Sequence, residues 1–481
     1  MPHPEWALKF RTKGTELRHI NGRFYLYQVS SRWNKEKKRS QKITGPCLGT
    51  VTPDGLVPTR EARIRAELNS VLTPLRVKEY GATTALRSLM SESVKKLEEL
   101  FPDWYPHLVV MIMSRLLYHA PLKSMPLHFA HSWLSEIFPH LSLTEKSVSA
   151  CLRAVGAQRE PIVSYLKTFI QNEDHLILDV THMVTQSQSL SLAHCGYNSQ
   201  QVHDPQVNLF FIFSATAHQP LFYRLLPGNI REIKACHLTL KESGIAKAIL
   251  IADKGFYSQQ NATDLQDAKL HFILPLRRNS QLIDYSPTSM ADQSRFAGHF
   301  AYGERYIWHQ ATVMDHLTLH LFYDERLKGK EVHDYLARIE KDPEHYTLEK
   351  YREKCAEFGT LALLTESQEL TSQTVYLYYK SRNEVEVMID ALKNILEADH
   401  SYMQDDIALE GWVFINFLAL TWYYALYQRV REHELLAKYS PMDILRHLQE
   451  IKQVKIGNDW HLSEITEKTL TLLNKVGIPI T

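Results

Sequence analysis

The stretch that most constrains the fold of this 481-residue chain runs from Tyr376 to Glu397 and reads YLYYKSRNEVEVMIDALKNILE. Wound as an α-helix at about 100° per residue, it places four polar side chains on one narrow face. They are Tyr379, Arg382, Glu386 and Lys393. The other side carries an apolar stripe made of Val385, Met388, Ile389, Leu392, Ile395 and Leu396. The pattern predicts a helix whose apolar stripe packs on a core and whose polar face is held rigidly.

The polar face of this helix combines one carboxylate, two cations and a phenol. Such a set is suited to holding a metal ion beside phosphate groups. Taken alone, it also fits the solvated face of an ordinary amphipathic helix. The interpretation as a metal site therefore depends on acidic residues elsewhere in the chain.

Two aspartates upstream supply those acidic residues. Asp179 follows the apolar residues LIL at the end of a predicted strand, and Asp253 follows AILIA in the same way. Carboxylates at the carboxyl ends of buried strands lie at the mouth of an α/β sheet, where such folds build their sites. Each aspartate alone also fits a helix N-cap or a turn. Together with Glu386 they form three hard oxygen donors, which suit Mg²⁺ or Mn²⁺ and not zinc.

Two such ions would activate an attacking oxygen and stabilise the leaving oxygen of a phosphodiester. The residues therefore point to phosphoryl transfer on nucleic acid. Arg382 and Lys393 would bind phosphates that flank the scissile bond. Tyr379 would bind a phosphate or stack on a displaced base.

The pattern around the aspartates predicts the fold class. HLILDVT, VNLFFIFSAT, PLFYRLL, AILIAD and HFILPL have the texture of strands, with helical segments between the later ones. Consecutive strands followed by alternating strands and helices predict a mixed α/β sheet with helices on its faces. Residues 286–372 are interpreted as a β-rich inserted subdomain, because long insertions at a surface connection are tolerated.

The first fifty residues are strongly basic. They contain eleven Lys and Arg residues against three Asp and Glu residues, a net charge of +8 in a chain whose total is +1. Alternating apolar residues and the turn signal Asn21-Gly22 predict a small unit of antiparallel hairpins. Its residues Lys35, Lys37, Lys38 and Arg39 are candidates for binding nucleic acid, because cations gain affinity by releasing counterions from phosphates. A solvated charged sheet edge gives a similar pattern.

The chain is predicted to contain six segments. These are a basic β unit at residues 1–60, a helical region at 61–170, a first core segment at 171–285, the insertion at 286–372, a second core segment with the glutamate helix at 373–430, and C-terminal helices at 431–481. The five cysteines form no CxxC pair, which argues against a zinc module or a disulfide framework and favours a reducing cytosol. No secretory signal is visible, and the apolar run WVFINFLALTWYYALY is too short for a membrane span, so a cytoplasmic protein is expected.

The polar face of the helix matches the Y-(2)-R-(3)-E-(6)-K signature of the DDE transposases of bacterial insertion sequences, at all four positions and all three spacings. LDVT resembles the strand that carries the first aspartate of that family. IADKGFYS resembles the second-aspartate strand and the turn that follows it. Pro227-Gly228-Asn229 resembles the family's Gly-Asn turn, with Glu232 as a weaker match to the acidic position after it. The resemblance covers about residues 170–430.

This resemblance implies a ribonuclease H-like core in which Asp179, Asp253 and Glu386 are catalytic and bind two Mg²⁺ or Mn²⁺ ions. It implies an enzyme that cuts at the terminal inverted repeats of its element and joins the freed 3′ ends to target DNA. Such transposases work as oligomers, usually dimers, on paired DNA ends. The expected location is the bacterial cytosol or nucleoid, and the basic N-terminal unit is a candidate for recognising the ends.

Two other functions stay open at this point. A DNA-binding protein derived from a transposase could keep the fold after losing catalysis, and a ribonuclease H-like nuclease would act on RNA–DNA hybrids. Two further acidic residues lie close to Glu386 in the chain. Glu384 falls on another side of the helix, and Glu397 lies too far along it to join a site centred on Glu386.

Overall fold

The computed structural model describes most of the chain. The described residues are 3–34, 39–64, 75–170, 176–195, 204–214, 217–230, 232–245, 249–251, 257–267, 270–289, 295–366, 370–398 and 400–479. The chain divides into two compact units, one formed by Met1–Glu79 with Ile451–Glu464 and the other by Tyr80–Glu450 with Ile465–Thr481.

The described strands and helices are numbered in chain order. The strands are β1 (Thr15–Ile20), β2 (Arg23–Asn34), β3 (Arg39–Thr52), β4 (Gly55–Pro58), β5 (Arg76–Glu79), β6 (Leu176–Thr185), β7 (Gln206–Ser214), β8 (Gln219–Pro227), β9 (Ile249–Ile251), β10 (His271–Pro275), β11 (Gly298–Tyr302), β12 (Arg305–Met314), β13 (Leu317–Asp324), β14 (Thr360–Thr365), β15 (His400–Ser401), β16 (Lys452–Ile456) and β17 (Asp459–Leu462). The helices are α1 (Glu5–Leu8), α2 (Gly81–Leu89), α3 (Ser91–Leu100), α4 (Tyr105–Tyr118), α5 (Met125–His131), α6 (Leu134–Ile137), α7 (Glu145–Gly156), α8 (Arg159–Lys167), α9 (Glu232–Ser243), α10 (Gln259–Asp267), α11 (Ser286–Ser289), α12 (Glu325–Lys341), α13 (Leu348–Lys354), α14 (Ser372–Asp390), α15 (Asp406–Glu432), α16 (Pro441–Gln449) and α17 (Glu467–Val476).

The smaller unit contains the predicted N-terminal β unit. Strands β1 to β4 form an antiparallel sheet in chain order. Asn21 and Gly22 join β1 to β2 with positive φ angles of 48° and 77°, the conformation that Asn-Gly turns favour. A small core of Leu17, Leu26 and Val51, closed by Ala7 of α1, stabilises this sheet.

A second sheet of the same unit was not predicted. Residues 431–481 were expected to form helices only, yet β16 and β17 form a hairpin that pairs with β5. Gly457, with φ +65°, lies in the turn between the two strands. The segment KQVKIGNDWHL alternates in polarity around that glycine, and this alternation is the signal that the helical prediction overlooked.

The larger unit has the mixed α/β architecture predicted from the sequence. Strands β6, β7 and β8 pair antiparallel, and β15 joins the free side of β6 in parallel. Strand β9 contacts β6 and pairs in parallel with β10. Helices α8, α9 and α15 pack on β8, which explains why β7 and β8 are almost wholly buried and apolar in sequence.

The stretch predicted as an insertion supplies the remaining strands of the sheet that contains β9 and β10. Strand β14 pairs antiparallel with β10, and β13, β12 and β11 follow outward in that order. The β-rich insertion is therefore present, and its strands continue the sheet that contains β9 and β10.

The apolar run at residues 412–427 lies inside helix α15 and is buried for most of its length. The helix begins at an N-cap, Asp405, whose carboxylate accepts a hydrogen bond of 2.7 Å from the Ala408 N–H. Within the part of the chain that the structure describes, no helix is long and apolar enough to cross a membrane.

Two glycines allow α7 and α15 to pack against each other at close range. A Cβ atom on Gly411 would overlap the Leu152 carbonyl group, and one on Gly156 would overlap the Ile407 carbonyl oxygen. We expect Gly411→Ala to lower the free energy of unfolding by about 2 kcal/mol, because backbone atoms must move apart to admit the methyl group. Urea denaturation followed by circular dichroism measures the change.

Gly329 provides the matched control for this substitution. It lies within helix α12, and a Cβ there would meet nothing within 4 Å. Gly329→Ala should raise the free energy of unfolding by about 0.5–1 kcal/mol, since alanine favours a helix over glycine. Equal effects of the two substitutions would contradict the close-packing argument.

Candidate active site

Helix α14 carries three of the four signature residues, Tyr379, Arg382 and Glu386, and its predicted apolar face is buried. Val385 and Met388 are fully buried, as is Leu392 in the turn that follows. The helix begins at Thr371, whose side-chain oxygen accepts a hydrogen bond of 3.2 Å from the Thr374 N–H. It contacts both β6 and β9. The glutamate helix therefore packs on the two strands to which the sequence assigned the aspartates.

The polar face of α14 is exposed to solvent at Glu386. The Glu386 side chain is 58% exposed, whereas that of Arg382 is only 14% exposed. Arg382 Nη1 lies 3.5 Å from Glu386 Oε1, as expected for residues four positions apart on one helix face. Tyr379 is half-buried on the same helix. A largely buried guanidinium thus stands beside an exposed carboxylate.

Lys393 lies beyond the end of the α-helix, in a π-helical segment formed by Ala391–Ile395. The Leu396 N–H donates to the Ala391 carbonyl at 3.0 Å, five residues back in the chain. A π-helix turns less per residue than an α-helix, so the angle derived for Lys393 from an α-helical wheel does not hold. The lysine is half-buried and follows Glu386 along the chain by two turns.

Asp179 does not end its strand, contrary to the sequence prediction. Strand β6 continues to Thr185, because residues as far as Val184 pair with β7. Asp179 stands opposite Phe211, is half-buried, and accepts a hydrogen bond of 2.9 Å from the Val180 N–H at Oδ1. Asp179 therefore lies in the middle of a strand, and helix α14 contacts this strand.

Asp253 and the basic residues Lys35, Lys37 and Lys38 lie outside the described residues. The described part of strand β9 reaches Ile251, two positions before the aspartate, and this strand contacts β6. Among the residues that the structure describes, no group of three His, Cys, Asp or Glu side chains is arranged to hold a metal ion. Asp179 and Glu386 contribute carboxylate oxygens from elements in contact, and this donor chemistry fits a hard divalent cation.

A buried arginine holds the C-terminal end of the signature helix. Arg115 of α4 donates from Nε to Asn416 Oδ1 at 3.0 Å, from Nη1 to the Ala120 carbonyl at 3.1 Å, and from Nη2 to the Leu396 carbonyl. Its guanidinium also lies 4.7 Å from the ring centre of Trp412. Burial lowers the pKa of Arg115 to about 10, so the group stays charged at neutral pH.

The N-terminal end of the helix is held by a buried histidine and a tyrosine. His320 of β13 and Ser372 form a hydrogen bond of 2.9 Å between Nδ1 and Oγ. Burial, with a smaller effect of His309, lowers the pKa of His320 to about 4, so the ring is neutral near pH 7. Tyr376 packs against aromatic rings of β11 and β13, and burial raises its pKa to about 12.

The neighbouring acid Glu384 belongs to a different contact network. Its carboxylate contacts Nδ1 of His218, and Arg431 of α15 approaches Nε2 of the same ring at 3.2 Å. Gln428 holds the His218 carbonyl at 2.7 Å. Glu384 therefore ties α14 to α15 and to the turn before β8, which agrees with its predicted position away from Glu386.

Strands β6 and β9 and helix α14 lie within one continuous family match. The family model of the transposase DDE domain matches residues 170–422, just over half of the chain. The chain belongs to the DDE transposases. The predicted function, a DNA transposase of the metal-dependent polynucleotidyl transferase class, is thereby confirmed.

Two further comparisons bear on this transposase. A search of curated proteins finds no match. Among solved structures, it is similar to the piggyBac transposase in a synaptic complex with hairpin DNA, with 13% sequence identity, a TM-score of 0.40, and coverage of 77% of this chain and 79% of that one.

Proposed function

We propose that this transposase cleaves phosphodiester bonds at the ends of its own element and joins the freed 3′-OH groups to target DNA. Asp179, Asp253 and Glu386 are its catalytic residues in this proposal. The observation that carries it is the packing of α14, with Glu386 exposed, against β6, which contains Asp179, and against β9, which leads to Asp253. A solvent-accessible carboxylate beside these strands is open to a DNA strand.

The same three carboxylates are proposed to hold two Mg²⁺ or Mn²⁺ ions. Carboxylate oxygens are the donors that these ions prefer, and no sulfur or imidazole ligand is part of the set. When bound, such ions supply activation of an attacking oxygen and stabilisation of a leaving oxygen. The chain's own part is to hold Asp179 and Glu386 on a strand and a helix that pack together.

The cations of the signature helix are proposed to bind the DNA backbone. Arg382 is largely buried and is held beside Glu386, so its guanidinium loses little freedom when it donates to a phosphate. Lys393 would bind a second phosphate and Tyr379 a phosphate or a displaced base. These side chains orient the scissile bond without taking part in bond breaking.

The roles of the chain's segments, its oligomeric state and its location are also proposals. The six segments predicted from the sequence would divide DNA-end binding, at residues 1–60, from catalysis, at residues 171–285 and 373–430. Two copies would act together on paired inverted repeats of a bacterial insertion sequence, in the cytosol or nucleoid. Lys35, Lys37, Lys38 and Arg39 would bind the DNA ends, the lysines through the phosphate backbone.

A plasmid assay tests the proposal. A supercoiled plasmid that carries the coding region with its native flanking DNA is incubated with the protein and Mg²⁺, Mn²⁺, Ca²⁺ or EDTA. We expect breaks at both flanks and joined products with Mg²⁺ or Mn²⁺, and neither with EDTA. DNA binding without any metal-dependent break would instead identify a silent binding protein. Cleavage confined to an RNA–DNA hybrid would identify a ribonuclease H-like nuclease.

A further inference from the structure

The hairpin of β2 and β3 extends beyond the small N-terminal core as a two-stranded ribbon. Six consecutive cross-strand pairs run without a register shift from Val29, opposite Thr44, to Asn34, opposite Arg39. The core residue of β2, Leu26, precedes this segment. We call residues 29–34 and 39–44 the ribbon.

Most side chains of the ribbon are exposed, on both faces. The side chains of Ser30 to Trp33 on one strand and of Arg39 to Thr44 on the other are all exposed. The exposed fraction of Trp33 is 62% and that of Ile43 is 44%. A two-stranded hairpin without a covered face is only marginally stable in water. The ribbon therefore contributes little to the stability of the unit, and binding a ligand would give its exposed side chains a role.

Alternation along the strands separates the ribbon into two faces. Paired residues share a face, and so do residues two positions apart. One face, which we call the reading face, consists of Ser30, Arg32, Asn34, Arg39, Gln41 and Ile43. A hydrogen bond of 3.2 Å from Asn34 Nδ2 to Gln41 Oε1 agrees with this assignment.

The opposite face is partly engaged within the unit. Lys42 Nζ forms an ion pair of 2.5 Å with Glu16 of β1, and Arg18 of β1 donates to Thr44 at 2.8 Å and pairs with Glu16 at 3.0 Å. Hydrogen bonds from Lys42 and Arg18 lower the pKa of Glu16. Glu16 thus offsets part of the positive charge on this side, whereas the reading face carries two arginines and no acidic residue.

The side chains of the reading face are of the types that suit hydrogen bonding and apolar contact with base edges. In the major groove, arginine donates two hydrogen bonds to guanine, asparagine and glutamine pair with adenine, and apolar side chains contact the thymine methyl group. The groove is about 12 Å wide and admits a two-stranded β-ribbon. At about 3.4 Å per residue, the six pairs extend about 20 Å, enough to follow five or six base pairs.

We propose that the ribbon enters the major groove of duplex DNA with its reading face toward the bases. Arg32 and Arg39 read guanines, and Asn34 and Gln41 read adenines. The proposal rests on the proposed function, because it assigns sequence recognition of the DNA ends to this face. It differs from backbone binding by the lysines of the hairpin, which would confer affinity without specificity.

A selection experiment on the full-length protein tests the ribbon. A pool of DNA duplexes with a randomised 20-base-pair centre is bound, recovered and sequenced, first with the wild type and then with variants. We expect the wild type to enrich one motif. Arg32→Ala and Arg39→Ala should each bind the enriched duplex at least about tenfold more weakly, and the unselected pool less than about threefold more weakly.

Three further variants provide the controls. Lys42→Ala removes one positive charge from the opposite face and should enrich the same motif as the wild type. Arg32→Lys keeps the charge and the exposed position but cannot form the two-pronged contact, so it should lose preference for the motif while keeping its affinity for the pool. Glu386→Gln should enrich the wild-type motif whether or not the catalytic proposal is correct.

Several results would overturn the ribbon proposal. The first is a wild-type protein that enriches no motif. The second is an arginine-to-alanine loss that is equal for the motif and for the pool, since that describes phosphate contacts alone. The third is an effect of the substitutions on self-association only, measured by mass photometry. A wild-type protein that enriches a motif but does not cleave the plasmid would count against the catalytic assignment and leave the ribbon proposal standing.

Discussion

Glu386→Gln should lower the rate of DNA-end cleavage by about a hundredfold to a thousandfold. The amide keeps the size and the exposed position of the side chain but removes its negative charge, which in the proposed function binds a metal ion at the reacting centre. Asp179→Asn should have an effect of the same order, because its carboxylate is held on a strand that packs against the glutamate helix. The measurement is the initial rate of flank cleavage in the plasmid assay with Mg²⁺.

Glu397→Gln is the charge-matched control for this experiment. Glu397 is exposed, follows the π-helical segment and has a positive φ of 47°, so it does not continue the helix that presents Glu386. We expect its rate to stay within about threefold of the wild type. Comparable losses from Glu397→Gln and Glu386→Gln would mean that general electrostatics, and not a defined carboxylate, explains the effect.

Arg115→Met is expected to destabilise the larger unit by about 3–5 kcal/mol. Methionine fills a similar volume, but it leaves the Ala120 and Leu396 carbonyls and the Asn416 amide oxygen without their donor inside the protein. Buried acceptors that lose a charged partner carry such costs. Because Leu396 follows the π-helical segment, end cleavage should also fall at temperatures where the fold persists. Urea denaturation and the plasmid assay measure the two effects.

Arg153→Met serves as the comparison for Arg115. Arg153 Nε lies 3.0 Å from Asp405 Oδ2, but its side chain is 61% exposed. Exposed ion pairs contribute little, so the free energy of unfolding should change by less than about 1 kcal/mol. If the two methionine variants unfolded at the same urea concentration, the buried hydrogen bonds of Arg115 would not contribute as described.

Much of the larger unit could be predicted from sequence periodicity. The hairpin of β7 and β8 and the buried helix α15 followed from apolar runs, because burial on both sides of an element leaves few polar positions. The two faces of α14 followed from the spacing of Val385, Met388 and Leu392. The spacing of apolar residues was enough to predict an element wherever that element is buried along one face or on all sides.

The features that sequence reasoning missed depend on distant partners. Asp179 was assigned to a strand end because a charged residue interrupts an apolar run, yet pairing with β7 continues the strand past it. Arg115 lies in the apolar segment VVMIMSRLLY, and only the folded chain shows that it donates to Leu396 and Asn416. The π-helical segment likewise leaves no signal in the spacing of apolar residues.

The six-stranded sheet formed by β9 to β14 limits how the insertion can move. Its strands are joined through β14 to β10 and β9 by uninterrupted main-chain pairing, and Tyr376 of the glutamate helix packs on them. A hinge within this sheet would require backbone hydrogen bonds to break along a whole strand. The insertion is therefore a stiff extension of this sheet, and a nucleic acid lying along it would keep one constant angle to helix α14.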